Sequence, residues 1–314
     1  MVNIAGIRAA AALINGEIQR TPLTHDDSLQ AILKWENQQV TGSFKARGAI
    51  NALKCLSPRR MESGIVAVSA GNHGQGVALA AARAGIKAQV FLPQSASEVK
   101  AAAIWNLGAE LHFVPGGYEQ AEIAAIDYAR EKQLPFISPY DDEAVVCGQG
   151  TIGLEMVEKI DLERYTQVVV PVGGGGLIAG IGAVMRASHP RLRLIGAQAA
   201  GSPFMHALWH NNPQEEVVET IGLADGLEGM VAADSLTIPL VRQLVDDIVL
   251  ISEEGIRAAI RYAWQKHHQK IEGSAAVALA ALLDGKIKSV PTAVVISGGN
   301  ILPHIFNEIV AEPI

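Results

Sequence analysis

The sequence is short of several things at once. Two cysteines, Cys55 and Cys147, are too few for a disulfide framework or a thiolate metal site, so both read as ordinary buried thiols in a reducing cytosol. Aromatics make up 5% and charged residues 18% of the 314 positions, and the net charge is −7 with no basic cluster. That excludes nucleic acid or an anionic membrane as the main partner. No apolar run is long enough to span a bilayer, and the N-terminus lacks the basic segment and apolar core of a signal peptide. A cytoplasmic protein is expected. The nine histidines include no His-x-x-x-His pair with a partner carboxylate, and no Gly-x-Ser-x-Gly occurs. A histidine-based metal site and a nucleophile-elbow hydrolase therefore lack support.

What is present is glycine, 31 residues of it, in a chain that is 49% apolar. This is the profile of an Ala/Val/Ile-packed α/β enzyme with a sizeable core. Residues 1–23 read as an amphipathic helix ending at Arg20-Thr21-Pro22. From Gly64, β-rich runs alternate with helical stretches: strands at 65–70, 88–93, 109–115 and 135–140, with helices at 71–85, 95–108 and 118–133. The order βαβαβαβ predicts an open parallel-sheet lobe at 64–143. The pattern resumes with a helix near 148–160, strands at 167–173, 191–199 and 292–299, and helices at 177–188, 252–268 and 273–285. The expectation is an α/β protein of two open, mostly parallel sheets. A large lobe (1–63 plus 144–314) would carry the small lobe (64–143) as an insertion, with the ligand in the cleft between them.

Three strand-to-helix or strand-end junctions are rich in small residues. Gly173 to Gly176 follow the apolar run "VVVPV" and open a helix, where converging backbone N–H groups and the helix dipole suit an anion such as a phosphate. A flexible turn is the alternative. A dinucleotide fold would place an acidic residue at the end of the next strand, but that strand ends at Gln198, which favours a cofactor with one phosphate and no ribose. Ser69-Ala70-Gly71-Asn72-His73-Gly74 also opens a helix and could hold a carboxylate, or be a plain Asn-capped start. Ser297-Gly298-Gly299-Asn300 closes the last strand, as a site or as a turn. Lys45, in "TGSFKARGA", has small, hydroxylated or aromatic neighbours, unusual company for a solvated charge. His267 and His268 read as a solvated helix face, and Asp246-Asp247 as a helix end or turn.

Taken in order, "RTPL" (20–23), "TGSFKARGA", "SAGNHGQGVALAA", "GQGT" (148–151), "PVGGGGLIAG", "ADG" (224–226), "EGSAA" (272–276) and "SGGN" run nearly end to end. On these motifs the chain resembles the serine/threonine dehydratases (threonine ammonia-lyases) among the fold-type II pyridoxal-phosphate enzymes, a tryptophan synthase β-like group related to serine racemase. The resemblance implies pyridoxal 5′-phosphate as cofactor and Lys45 as Schiff-base lysine and Cα general base. By the same likeness Phe44 packs on the pyridine ring, Gly173, Gly174, Gly175 and Gly176 hold the phosphate, Asn72 meets the 3′-oxygen and Ser297 meets the ring nitrogen. Ser69, Gly71, Asn72 and His73 form the substrate-carboxylate loop. Burial fits the lysine's part, since it favours the neutral amine that such chemistry needs. A neutral Ser297 hydroxyl makes the ring a weaker electron sink than an aspartate would, which suits prompt β-elimination.

The implied reaction is conversion of L-threonine, L-serine or a related β-hydroxy amino acid such as 3-hydroxyaspartate to a 2-oxo acid and ammonia. The alternative is a racemase, which uses a serine just before "GNH" as the opposite-face proton donor. Here that residue is Ala70. The relatives' divalent-cation site is expected to be absent, because Gln198 and Phe204 stand at the matching positions. The chain ends at Ile314, soon after "SGGN", so no regulatory domain of the biosynthetic type is expected. Glu228 reads as a cap more than as a substrate contact. A non-catalytic binding module would not need Lys45, and a homodimer or higher homo-oligomer is the family's habit.

Overall fold

A computed structural model describes residues 2–312; Ile314 lies outside the described residues. Two sheets organise it. In the larger, the hairpin of β1 (Leu23–Asp26) and β2 (Ala31–Trp35) joins β9 (Thr292–Ile296), β6 (Gln167–Pro171), β7 (Arg193–Ala199) and β8 (Asp247–Ile251) in the order β1-β2-β9-β6-β7-β8, parallel except for β1. In the smaller, β3 (Ile65–Val68), β4 (Ala88–Pro93) and β5 (Glu110–Val114) run parallel.

Both faces of the large sheet are covered, and the period-2 alternation of strand side chains shows it. Val168 and Val170, Ile32, Ala293 and Val295 pack against α7 (Glu143–Lys159), α8 (Gly176–Ser188), α9 (Phe204–Trp209) and α10 (Thr237–Leu244). Their neighbours Val169, Leu33, Val294 and Ile296 pack against α11 (Glu253–His267), α12 (Gly273–Leu283) and α13 (Pro303–Ala311). The small sheet does the same. Ile65, Ala67 and Val90 face α2 (Lys45–Lys54) and α4 (Asn72–Ala84), while Val66, Val68 and Phe91 face α6 (Tyr118–Lys132). The remaining helices are α1 (Ile4–Leu13), α3 (Pro58–Glu62) and α5 (Glu98–Trp105).

Four expectations change. The run at 135–140 makes only an isolated bridge, Val66 with Phe136, because Pro135 and Pro139 lack the N–H donors that a strand needs. The segment before Lys45, for which no strand was expected, supplies the β1–β2 hairpin to the large sheet. His267 is not a solvated face: its Nε2 lies 2.8 Å from Asp26 Oδ2 and its ring packs on Trp35. Cys55 is exposed; only Cys147 is buried. Asp246 does end a helix-to-strand turn, accepting from Leu194 N–H at 2.7 Å.

The "GQGT" glycines serve helix packing. A Cβ on Gly148 would stand 2.6 Å from the Arg47 carbonyl oxygen, and one on Gly180 2.5 Å from that of Val146, so α7 meets α2 and α8 backbone to backbone. Beside this contact lies a buried charge cluster. Arg47 donates to both oxygens of Glu36 at 2.8 Å and to Glu155 Oε1 at 2.7 Å, and Lys34 reaches Glu155 Oε2 at 2.5 Å. Two cations and two carboxylates satisfy one another, which makes their burial tolerable. Arg47 lies two residues after Lys45, so this cluster anchors the first turn of α2.

Candidate active site

The site forms where α2 begins. Phe44 N–H donates to Ser297 O at 3.0 Å, Gly299 N–H to Gly42 O at 2.9 Å, and Ser43 bridges Gly298. "TGSFK" and "SGGN", more than 250 residues apart, are thus zipped together by backbone bonds. On the other side α4 presses on Lys45, where a Cβ on Gly76 would come within 3.1 Å of the lysine's carbonyl carbon. The Lys45 amine donates to Pro139 O at 2.9 Å, and Tyr140, the next residue, lays its ring where a Cβ of Gly174 would be. The connection returning from the small sheet therefore links the lysine to the glycine loop.

Lys34 is fully buried and Lys45 partly so, and their partners separate their roles. Lys34 is held between Glu155 and Glu36 and is structural. Lys45 has a carbonyl as its hydrogen-bond acceptor and no carboxylate within ion-pair distance among the described residues. Burial brings its pKa down to about 8, with Glu272 pulling weakly the other way. It is an amine that can lose its proton near neutral pH.

Gly173 to Gly176 join β6 to α8. Gly175 adopts φ +86°, the left-handed region that favours glycine, and a Cβ on Gly173 would stand 2.9 Å from Leu227 Cα. α8 leaves the N–H groups of its first turn without intrahelical acceptors, a seat for an anion. Thr237 Oγ1 ties the loop down by donating to Gly174 O at 2.7 Å. In the other loop, Ser69 Oγ accepts from Gly71 N–H at 3.0 Å, and Asn72 opens α4. His73 lies beside Lys45 with Nε2 2.8 Å from Ile137 O, which makes that nitrogen the donor. Burial and the nearby lysine push its pKa down to about 3, so it stays neutral.

Glu272 is the site residue that sequence reasoning passed over. It stands at the N-cap of α12 and reads as a helix cap, yet its side chain caps nothing. It turns instead to Asn72, whose Nδ2 donates to Oε1 at 2.7 Å. Burial, reinforced by Asp225, raises its pKa to about 7. The hints in the sequence are its place at the head of the "EGSAA" motif and its standing as a lone carboxylate between Ile271 and the apolar run "GSAAVALAALL". Lys100 and Asp225, also unremarked, form an ion pair between α5 and the "ADG" turn, so contacts from the small-sheet side reach across at two places. Glu228 makes a structural contact but caps no helix start: it accepts from Gly222 N–H, in the preceding loop, at 2.8 Å. Gln198 Oε1 accepts from His206 N–H at 2.9 Å.

A partly buried amine free of salt bridges, an anion seat at a helix start, and an amide and a hydroxyl nearby suit an aldehyde cofactor bearing a phosphate. Residues 14–298 match the family described as "Pyridoxal-phosphate dependent enzyme". The chain belongs to that family. Pyridoxal 5′-phosphate (PLP) is its cofactor, and the two-sheet arrangement is the one expected from the resemblance. Among family members, the chain is 42% identical over 276 residues to the catabolic L-threonine dehydratase TdcB of Escherichia coli K12, covering 87% of this chain and 83% of that one. It is 38% identical to an L-threonine ammonia-lyase of Thermotoga maritima, over 99% of this chain and 78% of the relative. The solved structure of maize serine racemase superposes with a TM-score of 0.89 at 28% identity, covering 98% and 96% of the two chains.

Proposed function

We propose that the protein is a PLP-dependent ammonia-lyase that eliminates the β-hydroxyl of L-threonine, L-serine or a related β-hydroxy amino acid, giving a 2-oxo acid and ammonia. The observation that carries this reading is the Lys45 amine, partly buried, without a carboxylate partner and neutral above about pH 8. The relatives named for threonine deamination support the substrate class.

Lys45 would hold the cofactor covalently, with Phe44 against the ring, the Gly173–Gly176 loop and the start of α8 at the phosphate, Asn72 at the phenolic oxygen and Ser297 at the ring nitrogen. Bound PLP supplies an electron sink for the pair left when Cα loses its proton. The chain's own residues do the rest. Ser69, Gly71, Asn72 and His73 present the start of α4 to the substrate carboxylate, the same anion-at-helix-start arrangement as the phosphate seat. Neutral His73 adds no positive charge beside Lys45, which would otherwise oppose protonation of the amine. The Lys45 amine would be the base that takes the Cα proton. Ser297 would set an uncharged hydroxyl at the ring nitrogen, which would make the bound ring a weaker electron sink than a carboxylate there would and would suit prompt β-elimination.

Racemisation is the second reading, favoured by the likeness to maize serine racemase. It needs a proton donor on the face opposite Lys45. Ala70 has none; the neighbouring Ser69 Oγ accepts from Gly71 N–H and keeps its own proton, so Ser69 is the hydroxyl that this second reading would have to use. The same proposal divides the chain into lobes 1–63 plus 144–314 and 64–143 and includes a cytoplasmic homo-oligomer, the latter checked by sedimentation. The deciding assay measures 2-oxo acid release from L- and D-β-hydroxy amino acids while the enantiomer ratio of unreacted substrate is followed. Oxo acid from L-substrates without inversion supports the lyase; inversion without oxo acid overturns it.

A further inference from the structure

Four separate segments meet in one line of hydrogen bonds. Asn300 Nδ2 donates to Thr41 O at 2.8 Å and to Asn72 Oδ1 at 2.6 Å, and Asn72 Nδ2 donates to Glu272 Oε1 at 2.7 Å. Both ends of the line are acceptors, a peptide carbonyl and a carboxyl oxygen. That fixes the direction of the two amides between them, whose oxygen and nitrogen would otherwise be interchangeable. The Thr41 carbonyl can only accept, so the Asn300 nitrogen must face it. The second N–H of Asn300 then selects the oxygen of Asn72. Glu272 in turn claims one N–H of Asn72 and leaves the other as a donor.

The carboxyl group is itself held in place. Its residue donates a backbone N–H to Gly298 O at 3.1 Å, and a Cβ on Gly298 would stand 2.3 Å from Oε1, so only glycine leaves room for it. Whether ionised or protonated, the group keeps an oxygen that can accept. Asn72 belongs to the start of α4, next to the small sheet, whereas Thr41, Glu272 and Asn300 flank strands and helices of the large one. The line therefore also ties the start of α4 to the larger body of the protein.

We propose that Glu272 is a positioning residue that, as terminal acceptor of the Thr41–Asn300–Asn72–Glu272 line, holds the Asn72 amide with one N–H free for the cofactor's phenolic oxygen. The inference rests on the cofactor seat proposed above. An amide turned the other way would set its oxygen lone pairs against that oxygen and repel it.

The test is PLP uptake by the apoprotein, titrated by fluorescence, with the pH dependence of the bound cofactor's visible band recorded in parallel. Glu272→Gln keeps an accepting oxygen without the charge, and Glu272→Leu keeps the bulk without the acceptor. The positioning role predicts that Glu272→Gln binds PLP within about threefold of the unaltered protein while Glu272→Leu loses at least about tenfold. Asn300→Leu, which breaks the line at its other end, should lose affinity similarly, and it stands in if Glu272→Leu fails to fold. Equal loss in both Glu272 variants would mean that charge alone matters, and equal retention that only volume does; either result overturns the proposal. Failure of the unaltered protein to take up PLP would overturn the seat as well. Normal uptake with an indifferent Asn300→Leu overturns the line alone.

Discussion

At the residue scale, the chemistry turns on a lysine kept dry and a carboxyl group kept near it. Lys45→Ala should abolish the visible band of the bound cofactor and lower 2-oxo acid formation about 10³-fold or more. In the apoprotein, labelling of the Lys45 amine by an acylating reagent, followed by mass spectrometry, should rise with a midpoint near pH 8. A midpoint near 10.5 would show that the amine is solvated. Stability carries a matching signature. Between pH 8 and 10.5 the unfolded chain holds the Lys45 proton that the folded one has released, so stability rises with pH. Between 4.5 and 7 the folded chain retains the Glu272 proton that the unfolded one has lost, so stability falls as pH rises. These two groups alone place a minimum between pH 7 and 8. The difference in thermal midpoint between the unaltered apoprotein and Glu272→Gln should fall across pH 4.5–7; a flat difference would mean an unshifted carboxyl. Ala70→Ser should raise racemisation, read from the enantiomer ratio, and no gain would mean that the opposite-face donor belongs elsewhere.

At the element scale, α2 presents its lysine because its next turn is anchored on two sides. Gly148→Ala drives a methyl into the Arg47 carbonyl and should cost about 1–3 kcal/mol, read from denaturant unfolding. Arg47→Met leaves Glu36 and Glu155 short of their cation and should cost about 3–5 kcal/mol. Elements were legible in the sequence wherever the signal was local. A β-branched run, a glycine turn and a small-residue helix announced β6 and α8, and the same grammar announced β3 and α4. The β1–β2 hairpin was not, because β2 is five residues long and contains Lys34, whose burial depends on Glu155 more than a hundred positions away. Positions 135–140 misled in the opposite sense, having strand-like residues between prolines that prevent pairing. Glu272 was hidden for a related reason: an acidic residue before a helix looks like a cap, and only the folded chain brings Asn72 to it.

At the scale of the whole molecule, the two sheets are joined around the site by contacts of unequal strength. The Lys100–Asp225 pair is partly exposed, so it contributes at most about 1 kcal/mol. Lys100→Ala should raise KM by no more than about fivefold at low salt, and the difference should vanish as ionic strength is raised. A salt-independent change would place Lys100 in direct contact with substrate. The order of strands has a different consequence. β9 is the last strand along the chain among the described residues, yet it lies between β2 and β6 in the interior of the large sheet and brings Ser297 and Asn300 with it. While the chain emerges from the ribosome, the N-terminal hairpin has no neighbour to pair with, and the edge of β6 stays open until β9 arrives, more than 120 residues after β6. Long-range parallel pairing of this kind is slow and leaves strand edges exposed meanwhile. A nascent chain stalled before Thr292 is therefore left with a hairpin and a sheet edge that cannot find each other, a natural client for a chaperone.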